Sequence, residues 1–95
     1  TIMKYKLSDL KINKYDFDEN GLIIYDIENE FTHFLNETAA FIYQCICEKN
    51  CDLEQIILLF KENYNMTKIT DEVLNDDINE IINSFIEKKL IICYE

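Results

Sequence analysis

The chain has 95 residues, 48% apolar and 13% aromatic, a composition that folds as one globular domain over 1–95 rather than staying disordered. Nineteen Asp and Glu stand against nine Lys with no Arg, a net charge of −10 that excludes a basic face for nucleic acid and bidentate capture of phosphate. One Gly and no Pro exclude an all-β sandwich or barrel, whose many corners need turn residues.

Taken in chain order, Lys11–Phe17 carries Tyr15 and Phe17 two residues apart, as a strand with one buried face does. Asn20-Gly21 follows and predicts a type I′ hairpin turn, in which both central residues take positive φ. Leu22–Asp26 supplies the second arm of that hairpin. After the polar break at Glu28-Asn29, Glu30–Leu35 reads as a third strand, with Phe31, His33 and Leu35 on one face and Thr32 and Phe34 on the other. The three form an antiparallel meander.

At Leu35 the period becomes helical. Asn36 is an N-cap whose side-chain oxygen accepts from the first turn, and Ala39, Ile42, Cys45 and Ile46 share one face up to about Glu48. Asp52 caps a second helix, with Gln55 completing a capping box and Leu53, Ile56, Ile57, Phe60 and Tyr64 forming its stripe. A third helix opens near Thr70 or Asp71 on the stripe Leu74, Ile78, Ile81 and Phe85, widened by Ile82 and Ile86. Between Asp71 and Glu87 it carries six acids and no base, and Lys88-Lys89 closes it, an order that complements the helix dipole. Leu90–Cys93 is a short extended tail. The predicted class is therefore α+β, winged-helix-like, in the order β-β-β-α-α-α.

Catalytic motifs do not emerge from this pattern. His33 is the sole histidine and falls on a strand, and adjacent acids such as Asp76-Asp77 point about 100° apart on a helix, so they form no acid–base pair. Cys45, Cys47, Cys51 and Cys93 lack zinc-ligand spacing and read as packed thiols, which implies neither metal nor cofactor. Neither a membrane-length apolar run nor a basic-then-apolar leader is found, so a cytoplasmic location without membrane contact is expected. A meander does leave open strand edges, and an edge at Glu30–Phe34 beside the third helix would form a groove able to accept an extended peptide. The alternatives from other classes are a winged-helix nucleic-acid or protein-interaction domain and a thiol enzyme. An open edge also leaves room for a homodimer.

Leu35-Asn36 followed by Thr38-Ala39 and Ile42, then Asp52-Leu53-Glu54-Gln55-Ile56, then Asp77-Ile78, Phe85-Ile86 and Lys89-Leu90-Ile91 resemble the PqqD-like family. These are the recognition elements of pathways that make ribosomally synthesised, post-translationally modified peptides. The resemblance spans about residues 10–93. Lys89 departs from it where the family often has Gly, and Asn50-Cys51 where Asp-Gly is common. It implies a non-catalytic module whose third strand pairs with the leader segment of a precursor peptide and presents it to a modifying enzyme, often a radical-SAM protein or another maturase. Carried onto this chain, the pairing strand is Glu30, Phe31, Thr32, His33 and Phe34. By the 100° rule, Asn75, Asn79, Ile82 and Ile86 flank the core stripe of the third helix and are the expected helical wall.

Overall fold

The computed structural model describes residues 2–65 and 68–95. Its elements are β1 (Lys4–Leu7), β2 (Ile12–Phe17), β3 (Gly21–Asp26), β4 (Phe31–Leu35), α1 (Glu37–Glu48), β5 (Cys51–Asp52), α2 (Leu53–Asn63), α3 (Asp71–Glu87) and β6 (Ile91–Tyr94). The class is α+β, with the expected meander β2-β3-β4 and three helices in the expected order.

The meander's register is Tyr15 opposite Ile23 opposite Phe34, and Asn13 opposite Tyr25 opposite Thr32. Leu22, Ile24, Asp26, His33 and Leu35 point inward and are buried. The hairpin forms, but its turn lies one step earlier than the Asn20-Gly21 signal. Phe17 pairs with Gly21, so Asp18, Glu19 and Asn20 make the loop, and Asp18 takes the positive φ of 53°. Gly21 is an ordinary strand residue whose φ is not positive. It is needed for space, since a Cβ there would sit 2.8 Å from the Phe17 carbonyl oxygen and 3.0 Å from that of Leu35.

A second sheet has the order β5-β1-β6 and was not anticipated. The tail expected to be merely extended is its edge strand, antiparallel to β1 from Lys4 opposite Tyr94 to Leu7 opposite Ile91. Tyr5 and Ile91 from this sheet join Ile24, Ile42, Ile56, Ile78 and Phe85 in one core, which ties the chain's two ends to the helices.

The helix caps fall where the sequence puts them. Asn36 Oδ1 accepts from the Ala39 amide at 2.9 Å, and Thr70 Oγ1 from Val73 at 3.2 Å. The Asp52–Gln55 capping box closes both ways, at 2.8 and 2.9 Å. On α1 the buried face is Ala40, Ile42, Tyr43, Cys45 and Ile46, with Ala39 partly buried against the same core. Tyr43 meets Phe85 of α3 edge to face at 5.8 Å, while Phe41 meets Phe60 and Tyr64 of α2 in the same way. Such pairs add roughly 0.5–1.5 kcal/mol each beyond area burial. They fix how the helices cross.

Lys89 takes φ 61°, just after the α3 C-cap Lys88. The Leu90 amide reaches the Phe85 carbonyl and the Lys89 amide the Ile86 carbonyl, both at 3.0 Å, which is a Schellman ending. That ending reverses the chain into β6.

Candidate functional site

Among the described residues β4 has β3 on one side and no strand on the other, so its outer backbone groups form an open edge. Phe31, Thr32 and Phe34 are exposed along it, and His33 and Leu35 are buried. Glu30 lies in the preceding turn at φ 53°, outside the strand in which it was expected. Asp26 holds that turn. Its Oδ1 accepts from the Glu28 and Asn29 amides at 3.1 Å, and its Oδ2 accepts from Asn29 Nδ2 at 2.7 Å.

These bonds, led by those from Asn29, keep the Asp26 carboxyl below the ordinary carboxylate range despite its burial. His33 is also held below its ordinary value, by burial first and the nearby Lys88 charge second, with Asp26 pulling the other way. Lys88 is the C-cap of α3, so the end of that helix sets a positive charge near His33. At the strand's other end, Asn36 and Thr38 share a hollow of about 410 Å³ with Asp77, Glu80, Ile81 and Ser84 of α3. One flank of α3 thus faces the start of α1, just past the end of β4.

The residues expected to form the helical wall lie elsewhere on α3. By the 100° rule, Asp77, Ile81 and Ser84 lie roughly opposite Asn75, Asn79 and Ile86, with the core stripe between them. Ile82 is fully buried in that stripe and lines no groove, while Ile81 is half-buried at the hollow. Asn75 is half-buried and Asn79 exposed. Ile86 turns instead toward a separate hollow of about 760 Å³, with Leu10, Ile91 and Ile92. The spacing puts Ile81 in the core stripe and Ile82 at its widened side, and the structure exchanges the two, because neighbouring helix positions both touch a wide stripe. The choice is made by α1 and β6, which pack on α3.

The meander's outward face carries no charge at any position. Its middle row is Tyr15, Ile23 and Phe34, and the next is Asn13, Tyr25 and Thr32. Phe17 and Phe34 meet edge to face at 5.7 Å, above the space that Gly21 leaves free.

The thiols have a structural part. Cys51 Sγ donates to the carbonyl oxygens of Lys49 at 3.2 Å and Cys45 at 3.6 Å, closing the end of α1. Burial pushes the Cys45 thiol up to about 11 and raises Cys47 and Cys51 as well, which disfavours a thiolate nucleophile at any of the three. Among the described residues no group of three His, Cys, Asp or Glu could hold a metal, and no helix is long and apolar enough to cross a membrane.

The family model described as coenzyme PQQ synthesis protein D (PqqD) matches residues 21–91, which include the meander's second and third strands and all three helices. The solved structure of TbiB1 in complex with the TbiA(beta) leader peptide has a similar fold, with a TM-score of 0.73 and 16% identity over 90% of this chain and 93% of that one. No curated protein sequence matches the chain.

Proposed function

The chain belongs to the PqqD family, and from that premise we propose that it is a non-catalytic module, working in the cytoplasm, that captures the leader segment of a precursor peptide. The leader adds as a strand to β4, in the groove beside α3, and is presented to the enzyme that modifies the peptide, a radical-SAM protein or another maturase. The observation that carries this reading is the open edge of β4, with a hollow between α3 and the start of α1 opening where that strand ends.

Strand addition divides the labour. Main-chain hydrogen bonds to Phe31–Phe34 supply affinity for any extended segment. Selection falls to alternate leader side chains, which enter the groove against Ile81, Ser84 and the carboxylates of Asp77 and Glu80. An apolar residue flanked by Lys or Arg fits that lining. The similar fold of TbiB1, solved with a leader peptide, supports the choice of ligand class.

The test is an NMR titration of labelled protein with the leader segment of a short peptide encoded beside the gene. Saturable shifts confined to Phe31–Leu35 and the Asp77–Ser84 flank of α3, at about micromolar affinity or tighter, are expected. Shifts scattered over the surface, or none with any neighbouring leader, would overturn the reading.

A further inference from the structure

The groove uses one side of the meander, and nothing in the fold uses the other. In a chain that is 29% charged, the outward positions of all three strands are uncharged, with Tyr15 53%, Phe17 42% and Phe34 62% exposed. An aromatic face of this kind on a small acidic protein is a contact surface in search of its partner. Charge changes abruptly at its end. Phe17 and Phe34 run into a hollow of about 630 Å³ lined by the carboxylates of Asp18, Glu19 and Glu37. The site is apolar at its centre and acidic at its rim.

A second copy is a poor occupant on charge. Two chains of net charge −10 would bring their acidic rims together. The face is also small for any partner by itself, since three strands about 4.8 Å apart and about 20 Å long give about 300 Å² in plan. A leader strand on β4 adds about 100 Å² to it. It widens the same face by one strand and places every second leader side chain on it, next to Thr32 and Phe34.

We propose that the outward face of β2-β3-β4, completed by the outward side chains of the bound leader, is the docking surface for the modifying enzyme, which meets it with an apolar patch rimmed by Lys or Arg. This rests on the leader-binding reading and adds where the enzyme sits and why it selects the loaded domain. Aromatic side chains at the centre supply the affinity, and the acidic hollow orients a basic partner. Loaded and empty domains then differ at the enzyme's own contact surface, so recruitment follows capture.

The test uses Tyr15, which lies two strands from the β4 edge and outside the groove. Leader affinity is measured by fluorescence anisotropy, and binding of the modification enzyme encoded beside the gene by biolayer interferometry, with and without saturating leader. Loaded wild-type domain is expected to bind the enzyme about tenfold tighter than empty domain, and Tyr15→Glu to lose about tenfold of that binding while leader affinity stays within about twofold. Tyr15→Phe restores enzyme binding, because the ring and not the hydroxyl makes the contact. The proposal is overturned if the wild-type domain does not bind the enzyme, or if Tyr15→Glu leaves that binding unchanged or weakens the leader equally. A wild-type dimer in sedimentation that Tyr15→Glu dissolves would give the face to a second copy instead, which also overturns it. If no leader binds but the enzyme still depends on Tyr15, the leader reading falls and the docking surface stands.

Discussion

Lys89 occupies a backbone position that favours glycine, at φ 61° in the Schellman ending of α3. A side chain there costs about 1–2 kcal/mol, partly offset by the smaller entropy that Lys loses on folding. Lys89→Gly is therefore expected to stabilise the fold by about 0.5–1 kcal/mol, seen as a higher urea midpoint at unchanged slope. Gly21 works the other way, since its missing Cβ makes room for two carbonyl oxygens, so Gly21→Ala should destabilise although φ is ordinary. Two buried polar residues give the fold its pH dependence. The Asp26 carboxyl is held below 3.8 and the His33 imidazole below 6.5, so in both cases the unfolded chain takes up a proton before the folded one. Stability from His33 staying neutral is complete above 6.5 and is lost as pH falls through its lower folded value; the Asp26 contribution is lost in the same sense below 3.8. Urea midpoints of wild type and His33→Leu, compared from about pH 7.5 to pH 5, should diverge as the solution is acidified, with the wild type falling further. Parallel curves would show that His33 titrates alike in both states.

Among the elements, α3 was the most legible and the most easily misassigned. Its length, its Thr70 cap and its core stripe follow from local spacing, since a cap and a 3.6-residue period need no knowledge of neighbours. Which flank faces the start of α1 depends on packing, so Ile81 at the hollow and Ile82 in the core could be told apart only once α1 and β6 were in place. Substitutions separate the two. Ile82→Ala opens a cavity in the core and should cost about 2–4 kcal/mol, with little effect on leader affinity of the folded protein. Ile81→Arg is half-exposed at the hollow, so it should cost about 1 kcal/mol or less in stability yet weaken the leader about tenfold. The reverse pattern would return the groove to the other flank. The second sheet escaped notice for a different reason. Lys4-Tyr5-Lys6-Leu7 does alternate, but four residues are a weak signal and the partner lies at the far end of the chain. Pairing at that separation is a property of the closed core, not of the segment. β5 is shorter still, two residues that double as the lead-in and cap of α2.

At the scale of the whole molecule, the charge of −10 has two consequences of opposite sign. Acids repel one another in the compact state, which lowers stability when salt is scarce. The same field draws a cationic segment toward the protein, and α3 contributes Asp71, Glu72, Asp76, Asp77 and Glu80, five of the helix's six acids. Of the lysines only Lys61, paired with Asp71 at 2.7 Å, makes an ion pair among the described residues. That contact is exposed and contributes little, so most of the helix's charge stays unneutralised. Leader capture by this groove should therefore begin with long-range attraction and end with short-range strand pairing, and the two stages respond differently to salt. The Debye length falls from about 30 Å at 0.01 M to about 3 Å at 1 M, so added salt removes attraction at the distances where encounter occurs. Backbone hydrogen bonds and apolar contacts in the groove are hardly screened. For a leader rich in Lys or Arg, stopped-flow measurements between about 0.02 and 0.5 M salt should show the association rate falling about tenfold or more while dissociation changes by less than about threefold. The unliganded domain should melt at a higher temperature over the same range, as its own repulsion is relieved. An association rate indifferent to salt, or a cognate leader that proved acidic, would reduce the acidic helix face to a solvated surface with no part in capture.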